Sequence, residues 1–315
     1  MKIATGHAAA FLAAPAVALI VLAGSAGLLA PGAGAARAAG APIATVGAEN
    51  EYANVIGQIG GAYVKVTAVE SNPNTDPHSF EASPSVAEAV SSAQVVVQNG
   101  LGYDTFMNNI ESASPSSSRK VVVVQRLLGL PDSTPNPHLW YEPAAMPAVA
   151  KALVGDLSAI QPAHAAYFRA NEARFDRSLQ PWLDALRAVA RSYPKTPVAT
   201  TEPVGDYMLA AAGTVDMTPF SLQADIMNGV DPAPQAVSLE DSLLSRRQVK
   251  VLVYNQQVTD SLTEAFLAAA KQHGVPVVGV YETMPTPGYD YQSWMLAEVI
   301  ALRRAVIAKL STPKL

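Results

Sequence analysis

Residues 163–192 read AHAAYFRANEARFDRSLQPWLDALRAVARS, and this stretch sets the architecture expected of the whole chain. His164, Tyr167, Phe168, Phe175, Leu179, Trp182, Leu183, Leu186 and Val189 recur mostly at helical spacing. Thirty residues of near-continuous helix extend about 45 Å, enough to traverse two domains. Pro162 and Pro181 start or interrupt turns within it. Outward from this helix, both flanks alternate short β-rich runs with helical stretches. Upstream, strands are expected at 42–46, 63–69, 93–98 and 120–125, with helices at 50–59, 84–92, 103–113 and 143–160. Downstream, strands are expected at 197–200, 215–219, 249–254 and 276–281, with helices at 204–212, 236–246, 258–273 and 289–310. Alternation of this kind argues for parallel sheets with helices on both faces. The expected fold is therefore α/β: two lobes, each a parallel sheet flanked by helices, joined by a long rigid helix, with a cleft between them. The corresponding division is an N-terminal lobe at 40–160, a linking helix at 161–195 and a C-terminal lobe at 196–315.

Residues 1–39 read as an export signal, with Lys2 ahead of an apolar, alanine-rich run and Ala36-Arg37-Ala38 as a cleavage site. The apolar run is also long enough for an uncleaved anchor, although its glycines and Pro31 break it up. Of the 315 residues, 50% are hydrophobic and 15% charged, and the formal net charge is −5. That balance disfavours disorder and nucleic-acid binding and is compatible with gathering cations. The absence of cysteine excludes disulfides, thiolate metal sites and a lipid attached through cysteine.

One phrase occurs twice: Asp76-Pro77-His78-Ser79-Phe80 and Asn136-Pro137-His138-Leu139-Trp140. Each is an Asx residue, a proline, a histidine, a spacer and an aromatic. The proline stiffens the loop and leaves the histidine little backbone freedom. Neutral imidazoles on stiff loops suit a divalent metal. Both loops follow strands, and ligands of open α/β sheets lie outside the carboxyl ends of strands. Of the other histidines, His273 reads as a helix-end residue before Gly274, and His164 as a half-buried or surface position. Two carboxylates also follow strands, Glu202 and Glu282. Glu202 reads equally as an acid favoured at a helix start by the dipole. Asp206, Asp216, Asp290 and Glu51 compete with them but read as capping or solvated acids. Two imidazoles with two carboxylates make a sulfur-free set apt for manganese, zinc or ferrous iron.

These residues give the chain a resemblance, over about 42–312, to the zinc/manganese-type periplasmic solute receptors of bacterial ABC importers. It rests on the two histidine phrases, Asn99-Gly100-Leu101-Gly102-Tyr103, Thr201-Glu202, and Val253-Tyr254-Asn255-Gln256-Gln257. The resemblance implies two α/β lobes with one divalent ion between them, bound by His78, His138, Glu202 and Glu282. Zinc-type members more often carry histidine at the third position and manganese-type members glutamate, while the fourth is usually aspartate. It further implies no catalysis, a cargo of one divalent ion (Mn2+ or Zn2+, with Fe2+ also admissible), a membrane permease as partner, a monomer, and a place in the periplasm or on the cell surface. Asp76 and Glu81 are expected to orient the His78 ring. An exported metal-dependent hydrolase and a metal-binding surface adhesin are the alternatives. The chain lacks a His-Glu-x-x-His helix and a Gly-x-Ser-x-Gly turn, which weighs against the hydrolase.

Overall fold

The computed structural model describes residues 40–315, so the expected export signal at 1–39 lies outside the described residues. The first half contains β1 (Ile43–Glu49), α1 (Asn50–Gly60), β2 (Val64–Glu70), α2 (Pro84–Ser92), β3 (Val95–Gln98), α3 (Thr105–Ala113), β4 (Lys120–Val123), α4 (Val124–Leu127) and α5 (Ala145–Ile160). Then follow α6 (Ala165–Ser178) and α7 (Gln180–Ser192). The second half contains β5 (Pro197–Thr200), α8 (Asp206–Ala211), β6 (Val215–Asp216), α9 (Phe220–Met227), α10 (Pro234–Ser245), β7 (Val251–Asn255), α11 (Ser261–His273), β8 (Val277–Val280) and α12 (Tyr291–Ala308).

Two four-stranded parallel sheets result, in the orders β2-β1-β3-β4 and β6-β5-β7-β8. The same order recurs in both halves. Helices cover both faces, so β3, β7 and β8 are buried along their whole length and are apolar up to Gln98 and Asn255 at the carboxyl ends of β3 and β7. Gly47 lets α1 close on β1, because a Cβ there would lie 2.4 Å from the Ala53 backbone nitrogen.

The expected long helix is a 3₁₀ turn at Pro162–His164 followed by α6 and α7, with a break at Leu179. Pro181 sits in the first turn of α7, where its missing N–H costs nothing. α6 packs on α1 and α5, and α7 packs on α8 and α12. The run therefore crosses from the helices of one sheet to those of the other. Its apolar face (Phe168, Phe175, Leu179, Trp182, Leu186 and Val189) belongs to one core cluster that also takes in Val95, Trp140, Val251 and Trp294. The two sheets are thus backed by a shared core. A smaller cluster fills the outer face of each sheet.

Several boundaries differ from the pattern-based expectation. β4 ends at Val123 because residues 124–127 turn helical and the Gln125 N–H is taken by the Asn99 carbonyl. β6 is only two residues long. α9 has no counterpart in the sequence expectation. His273 does end α11, with Gly274 left-handed behind it at φ 68°, and His164 is half-buried, stacked 3.7 Å from Tyr63. Asp290 caps α12, as expected. Glu51 and Asp216 are not solvated: Glu51 is fully buried, and Asp216 accepts from Thr200 and Gln223.

Buried carboxyls are a feature of this fold. Burial raises Glu51, Glu240 and Glu298 to about 8 and Glu70 to about 9, and raises Glu49 well above its ordinary value. Folding therefore takes up protons between the ordinary glutamate range, near 4.5, and about 8 to 9. The associated stability is complete below that range and is lost as pH rises through about 8 to 9. His138, whose pKa is lowered by burial, works in the opposite sense but only below the ordinary histidine range. The melting temperature of the chelator-treated protein is expected to fall between pH 7 and pH 9 in scanning calorimetry. A flat or rising profile would contradict this reading.

Candidate metal centre

The two histidine phrases fold alike. The Oδ1 of Asp76 accepts the His78 backbone N–H at 2.8 Å, and the Oδ1 of Asn136 accepts that of His138 at 3.0 Å. Each loop carries a single 3₁₀ turn, Pro77–Ser79 in the first and Leu139–Tyr141 in the second. The Asx residue thus closes a turn on the histidine while proline fixes the backbone between them. The aromatic that ends each phrase anchors it: Phe80 packs on Phe106, and Trp140 is fully buried.

These turns bring His78 and His138 to Glu282, which follows β8. Each imidazole Nε2 lies 3.2 Å from the Oε2 of Glu282. One ligand atom from each of the three residues lies within 4.8 Å of the others. Tyr103 donates its hydroxyl to the same Oε2 at 2.9 Å. Tyr103 is aimed by the turn before it, where Gly100, Leu101 and Gly102 all have positive φ (88°, 57° and 82°). The glycines adopt this freely; Leu101 is held there by Gln125, which accepts its N–H at 3.1 Å. Asp104 accepts the backbone N–H groups of Asn99 and Gly100, and Asn99 donates to the Pro137 carbonyl at 2.7 Å, tying this turn to the His138 loop.

Asn136 decides which nitrogen of His138 is free. Its Nδ2 donates to the Pro203 carbonyl at 2.7 Å, and a carbonyl can only accept. Its Oδ1 therefore faces the Nδ1 of His138 at 2.8 Å and accepts a proton from it. The neutral ring then points a bare lone pair from Nε2 at a carboxylate oxygen, an arrangement that is repulsive unless a cation lies between them. That is the chemistry of a metal ligand whose tautomer is set by its second nitrogen. Asp76 does not do this for His78: its carboxylate is taken by the backbone N–H, and no hydrogen bond joins Glu81 to the His78 ring among the described residues.

Glu202 lies in the loop after β5, four residues before α8, so the helix-start reading does not hold for it. It is buried beside the three converging groups but outside their cluster. Asn255 joins the two acids, donating to Oε1 of Glu202 at 3.0 Å and to Oε1 of Glu282 at 2.8 Å. The Oε2 of Glu202 is buried without a hydrogen-bond donor. Tyr103 and Asn255 stand within the sequence motifs without a role legible there; their side chains become informative only once three loops meet.

The electrostatics follow burial. Burial lowers the pKa of His78, but the hydrogen bond and charge of Glu282 outweigh it, and the net shift is upward. Burial is complete at His138 and prevails there, so its pKa is lowered despite the same partner. Glu282 is itself buried, yet hydrogen bonds and charge from the imidazoles, when these carry a proton on Nε2, hold it below the ordinary carboxylate range. Glu202 is raised well above that range by burial and by the charge of Glu282. A dication among these groups would relieve both the acid–acid repulsion and the orphaned oxygen. Replacing Asn136→Ala leaves the Nδ1 proton of His138 without its acceptor. Divalent-metal affinity measured by calorimetry is expected to drop about 10- to 100-fold while the far-ultraviolet circular dichroism is kept; an unchanged affinity would contradict the tautomer argument.

The profile of the family described as ZnuA, zinc-uptake complex component A, periplasmic, matches residues 46–305. The manganese-binding lipoprotein MntA of Bacillus subtilis is 24% identical over 234 residues, 71% of this chain and 74% of that protein. The periplasmic zinc-binding protein TroA of Treponema pallidum superposes with a TM-score of 0.70 at 19% identity, covering 87% of this chain and 100% of that one. FpvC of Pseudomonas aeruginosa, solved in complex with Mn2+, gives 0.69 at 18% identity, covering 85% and 99%. The chain belongs to the ZnuA family, the periplasmic metal-binding components of ABC uptake systems, which are solute-binding proteins and not enzymes.

Proposed function

We propose that this protein captures one divalent transition-metal ion, manganese or zinc, outside the cytoplasmic membrane and delivers it to an ABC-type permease. The observation that carries this reading is the convergence of His78, His138 and Glu282 within 4.8 Å, with the His138 lone pair turned inwards. Glu202 is the fourth ligand: its buried Oε2 has no hydrogen-bond donor, and Asn255 ties its other oxygen to Glu282. Two carboxylates neutralise the dication, and either can bind through two oxygens. That adaptability suits manganese, whereas zinc is satisfied by four atoms. Intrinsic affinity favours zinc. Glu202 in place of a third imidazole tips the choice to manganese, and the manganese-binding relative supports it. In the same reading, residues 40–160 and 196–315 are the two lobes, 161–195 is the spine between them, residues 1–39 direct export, and the receptor acts as a monomer in the periplasm or at the cell surface.

Elemental analysis of protein purified without added metal is expected to give one manganese or zinc per chain, and His138→Ala or Glu282→Ala to lower affinity by more than about 100-fold. Loss of neither metal nor affinity in both variants would refute the site. Protons compete with the ion for both imidazoles. Because Glu282 lifts His78, competition begins above the ordinary histidine range, and because burial depresses His138, it continues below that range. Affinity for Mn2+ is therefore expected to weaken steadily as pH falls through the ordinary histidine range to pH 5, and undiminished binding at pH 5 would argue against histidine ligation.

A further inference from the structure

The capture reading leaves open how the ion is held and let go. The shared core running through α5, α6, α7 and α12 leaves little room for the two sheets to hinge apart. The His78 loop is different. Residues 71–83 are largely exposed, and His78 is the least buried of the converging side chains, with 26% of its side chain accessible. A cavity lined by His78, Tyr103, Pro137 and Asn228 opens beside it. This loop is the door to the site.

One residue from the second half fastens that door. Gln257, two positions beyond β7, is itself buried. Its Oε1 accepts the backbone N–H groups of Glu282 and Thr283, each at 2.8 Å. With the oxygen so occupied, the amide nitrogen must face the other way. It donates at 2.8 Å to the carbonyl of Thr75, in the loop that carries His78, and at 3.1 Å to the Thr283 hydroxyl. A single carboxamide thus joins the backbone of one ligand to the loop of another. Asn50 at the start of α1 makes a second clamp, donating to the Met284 carbonyl at 2.9 Å and accepting the Met284 N–H at 3.0 Å. The Glu282 segment is consequently pinned to α1 behind it. Among the described residues, two polar contacts join the His78 loop to the second half: Gln257 with Thr75, and His78 with Glu282.

We propose that Gln257 is a latch: its bond to the Thr75 carbonyl keeps the His78 loop shut over the bound ion and sets the rate of release. This rests on the capture reading above. Gln257 is a positioning residue that touches no ion itself; opening breaks its bond to Thr75 and swings His78 outward, while Asn50 keeps Glu282 in place.

The test is stopped-flow release of Mn2+ to a chromophoric chelator from the full chain and from two variants. Gln257→Glu keeps the oxygen that supports Glu282 and, once ionised, has no hydrogen to donate to Thr75; Gln257→Met removes both functions. The latch predicts release about tenfold faster in Gln257→Glu, the worth of one net hydrogen bond, and at least as fast in Gln257→Met. Gln257→Met also leaves the Glu282 and Thr283 N–H groups without their acceptor, so a lower metal-free melting temperature is expected of it, and Gln257→Glu carries the test. The sign matters for Gln257→Glu, because added negative charge alone would slow the release of a cation. Slower or unchanged release in this variant overturns the proposal, as does a fall in capture rate that accounts for the whole affinity change. Should both variants fail to fold, hydrogen exchange on the parent protein decides: a latch makes residues 75–80 and 281–284 gain protection together on Mn2+ binding, and independent behaviour overturns it. A parent protein that captures neither Mn2+ nor Zn2+ refutes the capture reading, an outcome separate from failure of the latch alone.

Discussion

A single carboxylate oxygen, Oε2 of Glu282, receives two imidazole nitrogens and a tyrosine hydroxyl in a fully buried position, and the rest of the structure is arranged around that meeting. Bringing these groups together without a cation is costly: one lone pair is aimed at an anion, and a second acid stands behind Asn255. The cost is tolerated because each group is fixed by its own surroundings. Asn136 orients His138, the Asn99–Gly102 turn orients Tyr103, and Gln257 with Asn50 holds the Glu282 backbone. A site assembled against its own electrostatics is ready for an ion that reverses their sign.

The scaffold explains why such a site can persist. The apolar face of α6 and α7 is shared by the cores behind both sheets, so the ends of the strands are held at a fixed separation. Function is left to the loops beyond those ends. Those of the second half are buried and hydrogen-bonded, whereas the His78 loop is exposed and fastened by few bonds. Rigidity on three sides and a yielding fourth side suit a protein that must both bind and release.

Much of this was legible in the residues, and the parts that were not share a physical cause. Strands β5, β7 and β8 announce themselves as short apolar runs buried on both faces, and the repeated Asx-Pro-His phrase encodes its own turn. Local chemistry was therefore readable. Glu282 could be picked out because it follows a strand, and the structure sets it within 3.2 Å of both imidazoles. Glu202 satisfied the same pattern, yet its placement depends on Asn255, fifty-three positions away. Asn50 and Gln257 act on backbone atoms of distant loops, which leaves no local signature in sequence. Helix α9 has no expected counterpart, and residues 215–219 read as a full strand where only Val215–Asp216 pair. The charge-bearing residues Glu51 and Asp216 read as capping or solvated acids, because polarity alone does not tell a surface acid from an enclosed one.

The most direct test is a crystal structure of the full chain loaded with Mn2+ or Zn2+, with anomalous scattering collected at the metal edge. One strong peak is expected between Nε2 of His78, Nε2 of His138 and Oε2 of Glu282, with a carboxylate oxygen of Glu202 completing the shell at roughly 2.0 to 2.3 Å. A peak elsewhere, or an ion held by neither imidazole, would contradict the account at its centre.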